Sequence, residues 1–160
     1  MKKLLSLIFA TLCFTACENA PEGSMNKVDY VDLGLSSGTK WNNINEMNPN
    51  DKTGFYIYSE AKSLFEDDIP TDEQWWELVN ECEWTWMGSG YKIVGPNGNF
   101  ITLPAAGYRY NGIVENVDSI GTYWSSPIGE EDAWVLYIDS INVDVVIGDG
   151  FCGRTVRLVH

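Results

Sequence analysis

Thr71-Asp72-Glu73-Gln74-Trp75-Trp76-Glu77-Leu78-Val79-Asn80-Glu81-Cys82, followed by Glu83-Trp84-Thr85-Trp86, places two kinds of secondary structure side by side. The Thr71 hydroxyl can cap a helix, and Gln74 three residues later completes a capping box. Asp72 and Glu73 set negative charge on the positive end of the helix dipole. Trp75, Leu78, Val79 and Cys82 recur at i, i+3, i+4 and i+7, so one stripe of this helix faces a core. Past Cys82 the period changes, and Trp84 and Trp86 alternate with polar residues as a strand requires.

Working outward, the pattern is mostly short strands. Segments 28–33, 91–94, 100–103, 133–138, 141–147 and 155–159 read as strands, separated by Gly, Asn and Ser turns such as Gly95-Pro96-Asn97-Gly98 and Gly148-Asp149-Gly150. A second, weaker helix is expected over 59–65. The segment 104–127 is rich in Gly, Asn and Ser with little periodicity, and reads as a long irregular loop. Few helices among many short strands predict an α+β domain, with one or two helices packed on short antiparallel strands.

The N-terminus carries a different message. Lys2 and Lys3 precede an apolar run from Leu4 to Phe14, too short to span a bilayer, and small residues lead up to Cys17. The pattern resembles a bacterial lipoprotein signal. It predicts a leader over 1–16, lipidation of Cys17, a polar tether over 17–27 and a domain over 28–160. The expected location is extracytoplasmic, on the outer membrane, facing the periplasm or the cell surface. Removal of the leader leaves roughly 144 residues, enough for one domain with a real core.

Loss of Lys2 and Lys3 takes the formal charge from −13 to −15. That balance repels phosphate backbones and argues against a nucleic-acid partner, and membrane attachment falls to the lipid. Cys82 and Cys152 remain in the domain. In an oxidising compartment a bridge between them is the expectation, with two separate buried thiols the alternative. Such a bridge would close a loop of about 70 residues and add on the order of 4 kcal/mol.

Five blocks, taken together, resemble a known family. They are Val31-Asp32-Leu33-Gly34-Leu35-Ser36-Ser37-Gly38-Thr39-Lys40-Trp41, Pro70-Thr71-Asp72-Glu73-Gln74-Trp75, Leu103-Pro104-Ala105-Ala106-Gly107-Tyr108-Arg109, Gly121-Thr122-Tyr123-Trp124-Ser125-Ser126 and Arg154-Thr155-Val156-Arg157-Leu158-Val159. In this order they are similar to the Fibrobacter succinogenes major paralogous domain, found on exported lipoproteins. The resemblance implies a C-type-lectin-like fold of the formylglycine-generating-enzyme variety. It also implies that the opening and closing strands lie close together, and that the 104–127 segment presents residues on one face. The sequence departs from the family at Gly54 to Glu60 and is shortened at Ile128 to Asp132.

For chemistry the sequence offers little that is specific. The one histidine, His160, is the last residue, a poor basis for imidazole zinc sites or for Ser-His and Cys-His catalysis. The resemblance also implies a copper-binding cysteine pair in its enzyme relatives, but only Cys152 lies in the corresponding region. Calcium-type motifs appear early and in the wrong order, so neither a metal nor another cofactor is expected. Glu130, Glu131, Asp132, Asp139 and Asp144 read as the solvated rim of a hairpin. Trp75, Trp124 and Trp134 read as core. Tyr108, Arg109, Tyr110 and Asn111, between Gly107 and Gly112, form the candidate ligand-contacting cluster: rings to stack, a guanidinium and an amide to direct hydrogen bonds. Arg154 and Arg157 read as structural partners for the abundant acids. The expected function is a non-catalytic, lipid-anchored binding or interaction module for glycan or envelope-protein ligands. The alternatives are a structural subunit of a surface assembly and a carbohydrate-active enzyme using two carboxylates.

Overall fold

The computed structural model describes residues 29–128 and 132–160. The leader, Cys17, the tether, Glu130 and Glu131 lie outside the described residues. The chain folds as an α+β domain of small antiparallel sheets. In order it forms β1 (Tyr30–Asp32), β2 (Lys40–Asn42), α1 (Tyr58–Phe65), a 3-10 turn (Glu66–Asp68), α2 (Asp72–Glu81), β3 (Glu83–Trp86), β4 (Gly90–Val94) and β5 (Phe100–Pro104). Then follow β6 (Tyr108–Tyr110), β7 (Ile113–Glu115), β8 (Gly121–Pro127), β9 (Asp132–Ile138) and β10 (Val143–Asp149).

The helix α2 begins as its sequence dictates. Thr71 Oγ1 accepts from Gln74 N at 3.2 Å, and Gln74 Oε1 accepts from Thr71 N at 2.9 Å. Its inward stripe buries Trp75 and Leu78 fully, with Val79 and Cys82 packed beside them. That stripe lies on the sheet ordered β10-β9-β8, while β3-β4-β5 forms a second sheet around the same core.

Strands β8 and β9 are covered on both faces, which explains their near-continuous apolar runs, whereas the edge strand β10 leaves Val146 and Ile147 exposed. Tyr123, Leu136 and Ile138 join the larger cluster with Trp41, Trp75 and the β4–β5 residues. Their neighbours along the strands, Trp124, Ala133 and Val135, turn to a second cluster with Tyr56, Tyr58, Ala61 and Ile69 from the α1 side. Trp75 and Trp124 are therefore core, and Trp134 is half-buried against the larger cluster.

Two expectations are corrected. The 104–127 segment is not an irregular loop, since it contains β6, β7 and β8. The 155–159 run is not a continuous strand. Its residues pair one at a time, Thr155 in parallel with Tyr123 and Val159 antiparallel with Trp41, because it threads between sheets. The end of the chain does return to its opening hairpin: Lys40 and His160 exchange backbone hydrogen bonds, both 2.9 Å, so the partner is β2 rather than β1.

Candidate functional site

The candidate cluster Tyr108 to Asn111 occupies one strand and the turn of a hairpin. Asn111 and Gly112 have φ of 48° and 79°, the paired left-handed geometry of a two-residue hairpin turn, which an Asn-Gly dipeptide adopts at low cost. Tyr108 lies opposite Glu115, and Tyr110 opposite Ile113, so these four share one face. Arg109 and Val114 share the other.

The foot of the hairpin is fastened to the body. Arg109 N donates to Gly153 O and Gly153 N to Arg109 O, each at 2.7 Å. A side chain at Gly153 would meet Arg109 Cβ at 3.0 Å, so the close approach depends on the missing Cβ. The Arg109 guanidinium forms an ion pair with Asp51 and also reaches Thr53 Oγ1 and Phe55 O, both at 3.4 Å. Asp51 is itself set by Thr53, whose N–H and hydroxyl donate to it at 2.9 and 2.7 Å. On the other face Tyr108 donates to Glu115 Oε2 at 3.1 Å and accepts from Asn116 Nδ2 at 3.3 Å. Arg109 thus anchors the hairpin to the body, and Tyr108 braces its two strands against each other.

Beside the polar Asn111, Glu115 and Asn116, the hairpin and the residues after it turn large apolar side chains outward. Tyr110 is 49 % exposed, Ile113 63 % and Val117 53 %, with Val114 also exposed. Sequence reasoning named Tyr110 and Asn111 but missed Ile113, Val114 and Val117. The available signal was Asn111-Gly112 between two short runs.

The anchor carries a pH signature. The hydrogen bond from Arg109, followed by those from Thr53, holds the Asp51 carboxyl down from 3.8 to about 2. A depressed folded-state pKa contributes stability above the ordinary carboxylate range, and that contribution is lost as pH falls through about 2. Between pH 4 and about 2, amide exchange at Arg109 and Gly153 should therefore accelerate ahead of the β8–β9 amides. Equal protection of both sets throughout that range would show that the Asp51–Arg109 ion pair does not hold the hairpin.

The clefts lie elsewhere. One of about 270 Å³ opens where α1, the start of α2 and the end of β8 meet, lined by Tyr58, Lys62, Glu66, Asp67, Ser126 and their neighbours. Another of about 240 Å³ is lined by Met87, Tyr91, Thr102, Leu103 and Pro104. Neither includes a hairpin residue. Among the described residues no three His, Cys, Asp or Glu side chains converge as a metal site needs, and no helix is long and apolar enough to cross a membrane. Asp139 serves the β9–β10 turn, accepting from Ile141 N and Asn142 N, both at 2.8 Å.

The expected disulfide is not formed: Cys82 and Cys152 are both free thiols. Cys82 caps the end of α2 and packs on the larger core cluster, where burial, then Glu81 and Glu77, push its thiol up to about 11. Cys152 sits in the turn after β10, next to the Gly153 that pairs with Arg109. The helical stripe placed Cys82 inward correctly, but the wall it meets belongs to other residues.

Compared with protein families, with curated proteins and with solved structures, the chain gives no match.

Proposed function

We propose that this chain is a non-catalytic binding or interaction module, carried outside the cytoplasm on a lipid at Cys17, with the apolar face of the β6–β7 hairpin as its contact surface. One observation carries the reading. The polar side chains Tyr108 and Arg109 are spent on fastening the hairpin, while Tyr110 and Ile113 face each other in solvent. A fastened hairpin that exposes rings and branched aliphatics is costly to solubility unless a partner covers it. A rigid scaffold also lowers the entropy lost on binding. Within the 104–127 segment β8 joins the central sheet while the β6–β7 hairpin stands out as a separate exposed pair, an arrangement in keeping with the C-type-lectin-like fold that the sequence blocks resemble.

Tyr110 supplies a flat ring and Asn111 an amide, which suits a glycan. Ile113 beside Tyr110, with Val117 just past the hairpin, suits an apolar patch on an envelope protein, and this apolar character favours the protein ligand. The test uses the full chain against glycan, peptide and envelope-protein arrays, alongside Tyr110→Ala and Ile113→Ala. Both positions are exposed, so melting temperature should hold while binding weakens about tenfold or more, as at a hot spot. Absence of any ligand, or binding that ignores both substitutions, would reject this surface.

A further inference from the structure

Of the three arginines in the sequence, two are fully committed. Arg157 is buried and donates to Asn45 Oδ1, Asn42 O and Thr102 O, and Arg109 holds Asp51. Arg154 is the exception. Among the described residues its guanidinium makes no hydrogen bond or ion pair, and its Nε is enclosed without an acceptor. In a chain of net charge −13, a cation left without a carboxylate is unexpected.

Its position is tightly set. Arg154 N donates to Tyr56 O and Tyr56 N to Arg154 O, both at 2.9 Å. The guanidinium lies over the Trp124 ring, 5.1 Å from its centroid. Strand β10 gives way beside it, since a Cβ at Gly148 would sit 3.1 Å from Nε and 3.2 Å from Nη2. The group is thus a plate held on an indole and against a glycine, with its terminal nitrogens not enclosed. Burial lowers its pKa, which Cys152, Asp149 and Tyr108 oppose from nearby. One edge of the charge is stripped of water, and the other has Asp149 in its neighbourhood but no hydrogen-bonded partner among the described residues.

We propose that Arg154, seated on Trp124, is the recognition element of a small oxyanion site that takes the carboxylate of a ligand on its terminal nitrogens. The planar fork matches a carboxylate in two parallel hydrogen bonds, and the stacked ring removes most of the ordering cost. One cation among many acids makes an isolated carboxylate a weak ligand, so the site would read the acidic group of a larger molecule. An acidic sugar and a small organic acid share this chemistry. The proposal is independent of the hairpin surface, and Tyr110→Ala should leave it unchanged.

The test follows the arginine Nε–H signals of the full chain while acetate, glucuronate or chloride is added at matched ionic strength. Arg154→Lys identifies the signal by removing it. The Arg154 signal should shift saturably with acetate and glucuronate but not with chloride, while those of Arg109 and Arg157 stay in place. Tighter response to glucuronate would point to acidic sugars, and equal response to the carboxylate alone. The Trp124 indole N–H is a second reporter that survives in Arg154→Lys. There it should need at least about tenfold more anion, since the fork is lost while the charge remains. A stationary Arg154 signal, the same shift with chloride, or all three arginine signals moving together would overturn the site.

Discussion

Arg157→Met is expected to lower unfolding stability by about 2 kcal/mol or more, because three acceptors lose their donor at once. Asn42 O is buried and costs roughly 1–3 kcal/mol when left unsatisfied, while the partly buried Asn45 Oδ1 and Thr102 O cost less. The side chain is 1 % exposed and joins residues far apart in the chain. Nε reaches Asn45 Oδ1 at 2.9 Å, one terminal nitrogen reaches Asn42 O at 2.7 Å, and the other reaches Thr102 O at 2.8 Å. It thereby ties the closing segment to β2, to the loop after β2 and to β5. Among the described residues no carboxylate accepts a hydrogen bond from it, although Glu46 lies close enough to favour its charge. Burial is the larger influence and draws the guanidinium down to about 10. The expectation that Arg157 answers the abundant acids is thus corrected: amide and carbonyl oxygens hold it. Methionine fills the volume but answers none of them. Arg157→Lys should recover part of the loss, since an ammonium can reach some of the same oxygens but not all in the plane of the fork. Urea unfolding of both variants measures this. A loss under about 1 kcal/mol for Arg157→Met would mean that water can replace the guanidinium there.

Trp124→Ala should cost about 3–5 kcal/mol, the range for emptying a large aromatic site in a core. The indole packs on Tyr58 at 5.1 Å between ring centroids and carries the Arg154 guanidinium. Its Nε1–H donates to Tyr56 O at 2.8 Å. That carbonyl also accepts from Arg154 N at 2.9 Å, so the lost hydrogen bond does not orphan it and the cavity dominates the penalty. Trp124→Phe should cost less, because most of the volume remains. The same pair of variants separates structure from recognition. With the platform gone, the carboxylate response at Arg154 should weaken in Trp124→Ala even under conditions where the chain stays folded. Thermal melting and the arginine Nε–H titration measure the two effects separately. A near-neutral Trp124→Ala would show that the second core cluster is organised around other residues.

The parts of this fold that could be read in advance are those in which residues answer to near neighbours. The capping box of Thr71 and Gln74 spans three positions, and the stripe Trp75, Leu78, Val79 and Cys82 spans seven. The alternation in β3 and β4 and the near-continuous apolar run of β9 report burial directly. The β6–β7 hairpin escaped for the opposite reason. Its apolar residues Tyr110, Ile113 and Val117 point to solvent, so a periodicity that signals a core had nothing to register. Only Asn111-Gly112 marked it. The 155–159 run misled in the other direction: its polar-apolar alternation looks like a half-exposed strand, yet all five residues are buried and no single neighbouring strand runs along them.

The helix α2 with its cap and inward face, the strands whose residues are spaced by burial, and the α+β class follow from amino-acid order, because they depend on torsional preference and on hydrophobic spacing within a few residues. Tertiary structure alone decided that Arg109 meets Asp51, that Arg157 bridges Asn42 and Thr102, that Cys82 and Cys152 stay apart, and that Arg154 rests on Trp124. Each of these rests on side chains separated by tens of residues, brought together when the faces of β8 and β9 are covered. No local pattern encodes which distant partner burial will deliver.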